Sequence, residues 1–162
     1  MYISQTTYEK INDFLQKCFQ MNSYCDNLVY NMSALCMFNA EPIFHDKFAH
    51  AFPEFADEIT DVMVKLNARP IRKGLVDDTE PYENYKIIFA DLKVAVDQYR
   101  DDIIGVIESA DINGDTEIKI TFEKFLCKFM TYLHQANVWY KKSKEYDQVE
   151  DFDQDFATFT FV

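Results

Sequence analysis

From Ile11 onward an apolar or sulfur-bearing side chain returns every three or four residues: Ile11, Phe14, Cys18, Met21, Cys25, Leu28, Met32 and Leu35. A 3.5-residue period held over four heptads is the seam of a long helix packed in a bundle. A half-buried strand would alternate by two instead. About 30 helical residues at ~1.5 Å each reach ~45 Å, which suits a bundle better than a compact globule. The rest of the chain agrees, since only 3 Gly and 4 Pro interrupt 162 residues. That length predicts one domain with a sizeable core.

The first helix is expected over about residues 6–38, opened by Thr6 with Glu9 completing a capping box. Asn39-Ala-Glu-Pro42 then reverses the chain. The second helix, about 43–68, carries Phe44, Phe48, Phe52, Phe55, Ile59, Val62 and Leu66 at steps of three and four. Pro53 falls inside that stripe without breaking its phase, which predicts a kink rather than a break. Arg69 to Thr79 is a polar link whose eleven residues, extended at ~3.3 Å each, reach ~36 Å. It is long enough to cross the bundle and start the third helix parallel to the second.

Thr79 as cap and Pro81 in the first turn predict a third helix over about 80–109. Its seam is Tyr85, Ile88, Leu92, Ala95, Tyr99, Ile103 and Val106. After a turn at Asp111–Gly114 the fourth, about 116–146, presents Ile118, Phe122, Phe125, Phe129, Leu133, Ala136 and Tyr140. The expectation is an all-α four-helix bundle over 1–146, with a crossover between the second and third helices. Residues 147–162 form an acidic and aromatic tail, either docked on a neighbour or disordered.

With 28 Asp and Glu against 16 Lys and Arg, the net charge of −12 repels nucleic acid and anionic membrane and favours cations or basic partners. DNA binding is not expected. The first ten residues, MYISQTTYEK, lack the basic and apolar regions of a secretion signal, and no charge-free run is long enough to span a bilayer. Cys18, Cys25 and Cys36 lie on or beside the first seam, where reduced, buried thiols are expected. A cytoplasmic location is therefore expected. Nucleophilic catalysis has no visible basis, because neither Gly-x-Ser-x-Gly nor a paired Cys/His arrangement occurs.

Two stretches carry possible ligand chemistry. His50, Glu54, Asp57 and Asp61 follow at steps of four, three and four, so they share the polar face of the second helix, with His45 to its flank. Imidazole and carboxylate side by side suit a transition metal, but the same spacing describes an ordinary solvated face, and both readings stand. A single row cannot close a coordination sphere, so His45 of an adjacent subunit is the expected further ligand. In DINGDTEIKITFEKF, Asp111, Asn113 and Asp115 occupy the first, third and fifth positions of a calcium loop. The sixth, which needs Gly, is Thr116, and the twelfth, which needs Glu, is Phe122, so a plain Asp/Asn/Gly turn is the better reading.

Four long helices, two short turns and a crossover-length link resemble the ferritin-like bundle. IFHDKF at 43–48, DEITDVMVKLNARP at 57–70 and Asn137-Val-Trp-Tyr140 resemble segments of the DNA-protection-during-starvation (Dps) mini-ferritins. The resemblance implies a closed homo-oligomer, as large as a dodecamer, that binds or stores iron, with zinc as the alternative metal. It also implies iron oxidation at a subunit interface, with His45, Asp57 and Asp61 at the family's ligand positions. The departures count against that activity. Matching His45 and matching Asp57 with Asp61 need registers three residues apart; in phase with His45, the acidic positions fall on Ala49, Thr60 and Val64. The first-helix histidine position is Ser33. An internal two-iron centre is not expected either, because the first and third seams hold no carboxylate and Glu-x-x-His is absent. The alternative function is a non-catalytic interaction module that keeps the bundle without the metal.

Overall fold

In the computed structural model, which describes residues 1–162, the first seam forms α1 (Gln5–Ala34). The predicted second helix is built in three parts: α2 (Ala40–Phe44), a π-helical turn (His45–Ala49) and α3 (Ala51–Lys65). Then come α4 (Tyr85–Asn113), α5 (Thr116–Glu145), α6 (Val149–Asp155) and a 3₁₀ turn (Phe156–Phe159). No helix is long and apolar enough to cross a membrane.

Polar contacts at the helix ends give the direction of each helix. The Tyr2 N–H donates to the Leu66 carbonyl at 2.9 Å, so α3 ends beside the start of α1. Ser109 meets Thr7 at 3.1 Å, so α4 ends there too. The Tyr85 hydroxyl donates to the Tyr146 carbonyl at 3.0 Å, placing the start of α4 beside the end of α5. Hence α3 and α4 run one way and α1 and α5 the other, and residues 66–84 must return along the whole bundle.

A ladder of amide side chains on α1 holds that return. Asn12 Oδ1 accepts from the Ile71 N–H (2.8 Å), and Gln16 donates to the Gly74 carbonyl (2.5 Å). Gln20 both accepts from and donates to Val76 at 2.9 Å. Asn31 takes the Tyr82 N–H (2.7 Å) and, with Asn27, grips the Glu80 carbonyl. Extended backbone has no ladder of its own, so these amides satisfy it. They also correct the expected start of the third helix. Thr79 and Pro81 belong to the strap, and Asn84 is the cap, accepting from the Lys86 N–H at 2.9 Å.

Three helices end the same way. Cys36 (φ 59°), Asn67 (φ 55°) and Gly114 (φ 74°) are left-handed, and the N–H of the next residue reaches back to the carbonyls of Met32, Met63 and Ala110. This motif closes the open carbonyls of a helix end. α1 therefore stops at Ala34, short of the expected 38, because Met37 turns back into the core. Cys36 leaves the seam and is exposed, while Cys18 and Cys25 are buried free thiols. Burial pushes the Cys18 thiol up to about 12.

The cap of α1 also differs from the expectation. Ser4, not Thr6, accepts from the Thr7 N–H, and Asp115 holds Ser4 through its N–H (2.8 Å) and its hydroxyl (2.6 Å). Burial alone would raise the Asp115 carboxyl, but hydrogen bonds from Ser4 and Thr7 bring it below its ordinary 3.8. A depressed carboxyl stabilises the fold above its unfolded value and loses that contribution as pH falls through the folded one. Asp115→Ala is expected to cost about 1–2 kcal/mol at neutral pH, with the gap shrinking below about pH 4. Urea unfolding of both proteins at pH 7 and at about pH 3 checks this; a gap unchanged in acid would contradict it.

The tail is part of the fold. Phe152, Phe156 and Phe159 are buried, and Phe156 stacks on Trp139 at 5.0 Å. Alternating acid and aromatic residues become an amphipathic turn of helix once Phe89 and Trp139 offer an apolar seat.

Candidate metal site on a widened helical turn

The residues at the centre of the bundle do not fit a two-iron cofactor. Phe14, Phe52, Phe125 and Phe129 surround Tyr99 at centroid distances of 5.0 to 6.3 Å. The Tyr99 hydroxyl and the Cys18 thiol share a hydrogen bond at 3.1 Å. Only two carboxylates are buried, Asp115 and Asp153, and both sit at helix ends holding backbone N–H groups. Inside an apolar ring of this kind an unpaired carboxylate would be costly.

The ligand-type side chains gather on the surface, where α2 runs into α3. There the His50 N–H donates to the His45 carbonyl at 3.3 Å, a bond spanning five residues rather than four. Residues five apart lie about 140° apart around an α-helix, but a π-turn brings them nearly in line. The His45 and His50 rings meet edge to face with centroids 4.2 Å apart. His45 Nδ1 is 3.0 Å from Asp46 Oδ1. One ligand atom from each of His45, Asp46 and His50 lies within 4.8 Å of the others. Adjacent ligands of an ion bound at ~2.1 Å sit ~3 Å apart, so modest side-chain rotation closes the set. His45 Nε2 lies on the far side of the ring from Asp46, so an ion shared by His45 and Asp46 would take the place of the Nδ1–Oδ1 hydrogen bond, with Nδ1 turning its lone pair to the metal.

This geometry changes the sequence expectation in two ways. His45 meets His50 within one chain, whereas an adjacent subunit was expected to supply it. Asp46 joins them, although it lies off the row that a regular helix would form through His50, Glu54, Asp57 and Asp61. Glu54, Asp57 and Asp61 are exposed along α3 and stay outside the cluster. Asp61 instead pairs with Lys65 at 3.1 Å.

Two of the three calcium-loop side chains have their oxygens already engaged: Asp111 pairs with Lys119 (2.7 Å) and Asp115 holds Ser4, while Asn113 is turned by its side-chain N–H toward the Ser109 carbonyl (2.8 Å). A groove of about 400 Å³ between α1 and α4 passes over Gly105, where the Lys10 stem lies 3.4 Å from the position a Cβ would take. Lys17 and Asp102 face each other across it, and burial raises the Asp102 carboxyl despite that lysine. None of the sequence-predicted ligands lines this groove. No family model and no curated protein matches the chain.

Proposed function

We propose that this chain is a ferritin-like bundle that binds a divalent transition metal, iron or zinc, as cargo on the His45–Asp46–His50 turn. It does so in a homo-oligomer of the closed, Dps-like kind. The observation that carries the reading is the convergence of two imidazoles and a carboxylate on a turn that departs from α-geometry. π-turns of this kind recur at functional sites. The strap along α1, which makes α4 parallel to α3, supports the ferritin-like architecture. The aromatic bundle centre argues for binding without internal two-iron oxidation. The alternative, an interaction module without metal, draws its support from Asp61, Glu58 and Asp111, which are already matched by lysines.

The test is a titration of purified, tag-free protein with Zn²⁺ and Fe²⁺ under anaerobic conditions, with particle mass read by light scattering. Binding is expected near one ion per chain, and a His45→Ala/His50→Ala double variant is expected to lose at least 100-fold in affinity with helix content unchanged. A Glu54→Ala/Asp57→Ala variant, outside the cluster, is expected to bind within threefold of wild type. Wild-type protein that takes up neither ion sinks the metal reading. A monomeric mass sinks the closed oligomer.

A further inference from the structure

We propose that Pro53 is the positioning residue of this site: it enforces the π-turn that places His45 against His50. The inference rests on the metal reading for its consequence, but its structural part stands independently. Proline has no N–H to give the carbonyl four residues back, and its ring presses on that carbonyl in an unbroken α-helix. For Pro53 that carbonyl belongs to Ala49, the last residue of the π-turn. Pro53 stands third in α3, within the first turn, where an N–H has no intrahelical partner anyway. The chain thus ends one hydrogen-bond register at the proline and begins another, with one extra residue taken up just before it.

The core does not make this choice. Phe44, Phe48, Phe52, Phe55 and Ile59 are all buried. At ~100° per residue they fall within an arc of about 120° whether the helix is uninterrupted or carries one extra residue before Ala51. Both registers therefore bury the same stripe, and the proline separates them. Only the widened register aligns His45 with His50.

The site so formed supplies two imidazole nitrogens and one carboxylate oxygen from six consecutive residues, on an exposed surface with coordination positions left open. That donor set suits Zn²⁺, Co²⁺, Ni²⁺ or Fe²⁺ and does not suit Mg²⁺ or Ca²⁺, which take oxygen ligands.

Three proteins test the idea: wild type, Pro53→Ala, and Pro53→Ala with Lys47 deleted. Lys47 is exposed, and its removal takes out the extra residue, so the histidines become four apart on a regular helix. Co²⁺ titration followed by visible absorption is expected to show at least a tenfold loss of affinity in Pro53→Ala. The Lys47 deletion should restore binding to within threefold of wild type. A metal-free readout runs beside it: the ring-to-ring nuclear Overhauser contact between His45 and His50 should be present in wild type and absent in Pro53→Ala. Retention of that contact, or unchanged Co²⁺ affinity, in a folded Pro53→Ala protein overturns the role of Pro53. Failure of the deletion to restore binding also overturns it. Absence of Co²⁺ binding in wild type, with the contact present there and lost in the variant, overturns the metal reading alone.

Discussion

Replacing Trp139 with alanine is expected to destabilise the protein by about 3–5 kcal/mol, the range for removing a large, fully buried aromatic ring. Trp139 is completely buried at the junction of four elements. Its ring lies 5.0 Å from Phe156, 5.2 Å from Phe48, 5.5 Å from Phe44 and 6.0 Å from Phe89. Its indole N–H donates to the Thr160 hydroxyl at 3.1 Å. The loss therefore combines burial, a cavity lined by rigid rings and one lost hydrogen bond. Against a total of about 5–15 kcal/mol, that is a large fraction. Because Trp139 is the chain's single tryptophan, unfolding should be followed by circular dichroism in urea. Trp139→Phe, which keeps a ring and loses the N–H, is expected to cost about 1–2 kcal/mol. The tail from Gln148 onward should become open to limited proteolysis in Trp139→Ala first. A loss below about 1 kcal/mol would mean that the tail does not close this end of the core.

Asp153→Ala is expected to cost about 2–3 kcal/mol, because one carboxylate serves several donors at once. It accepts from the Ala40 N–H at 2.7 Å, from the Asn39 N–H at 3.2 Å and from the Asn39 side chain at 3.0 Å, and it is 7% exposed. These are the open N–H groups at the start of α2, where no side chain of that segment provides a cap. A charge at a helix N-terminus also gains from the helix dipole. Asp153→Asn keeps an acceptor of the same shape and should recover about half of the loss. Urea midpoints of the three proteins decide the matter; equal stability of Asp153→Ala and wild type would leave the α2 start capped by solvent alone. Because α2 leads directly into the His45 turn, metal affinity in Asp153→Ala reports whether this cap also steadies the site.

Helix periodicity is a local property, and it was readable. The seams of α1, α4 and α5 and the stripe Phe44–Leu66 identify most of the side chains that the core buries, because a helix face is defined by neighbours three and four residues away. Leu35, Leu66 and Tyr140 at the ends of those seams are only partly buried, for near a helix terminus little remains to cover them. The presence of His45 and His50 in one segment was equally plain, but their pairing was not. A regular helix sets residues five apart on different faces, and only a π-turn turns one toward the other.

Local pattern was enough for an all-helical chain, for more than half of its core and for a link long enough to cross it; Trp139 and the tail aromatics Phe152, Phe156 and Phe159 lie outside the seams it marked. Tertiary structure alone decided the rest. Asp115 reaches Ser4 across 111 positions of sequence and Asp153 reaches Ala40 across 113, and no local pattern encodes such partners. The same holds for the strap, whose path depends on amides that point outward from α1 and would otherwise read as ordinary solvent-facing residues. Burial explains the difference: apolar side chains announce themselves by repetition, whereas a polar group finds its partner only after packing has taken both away from water.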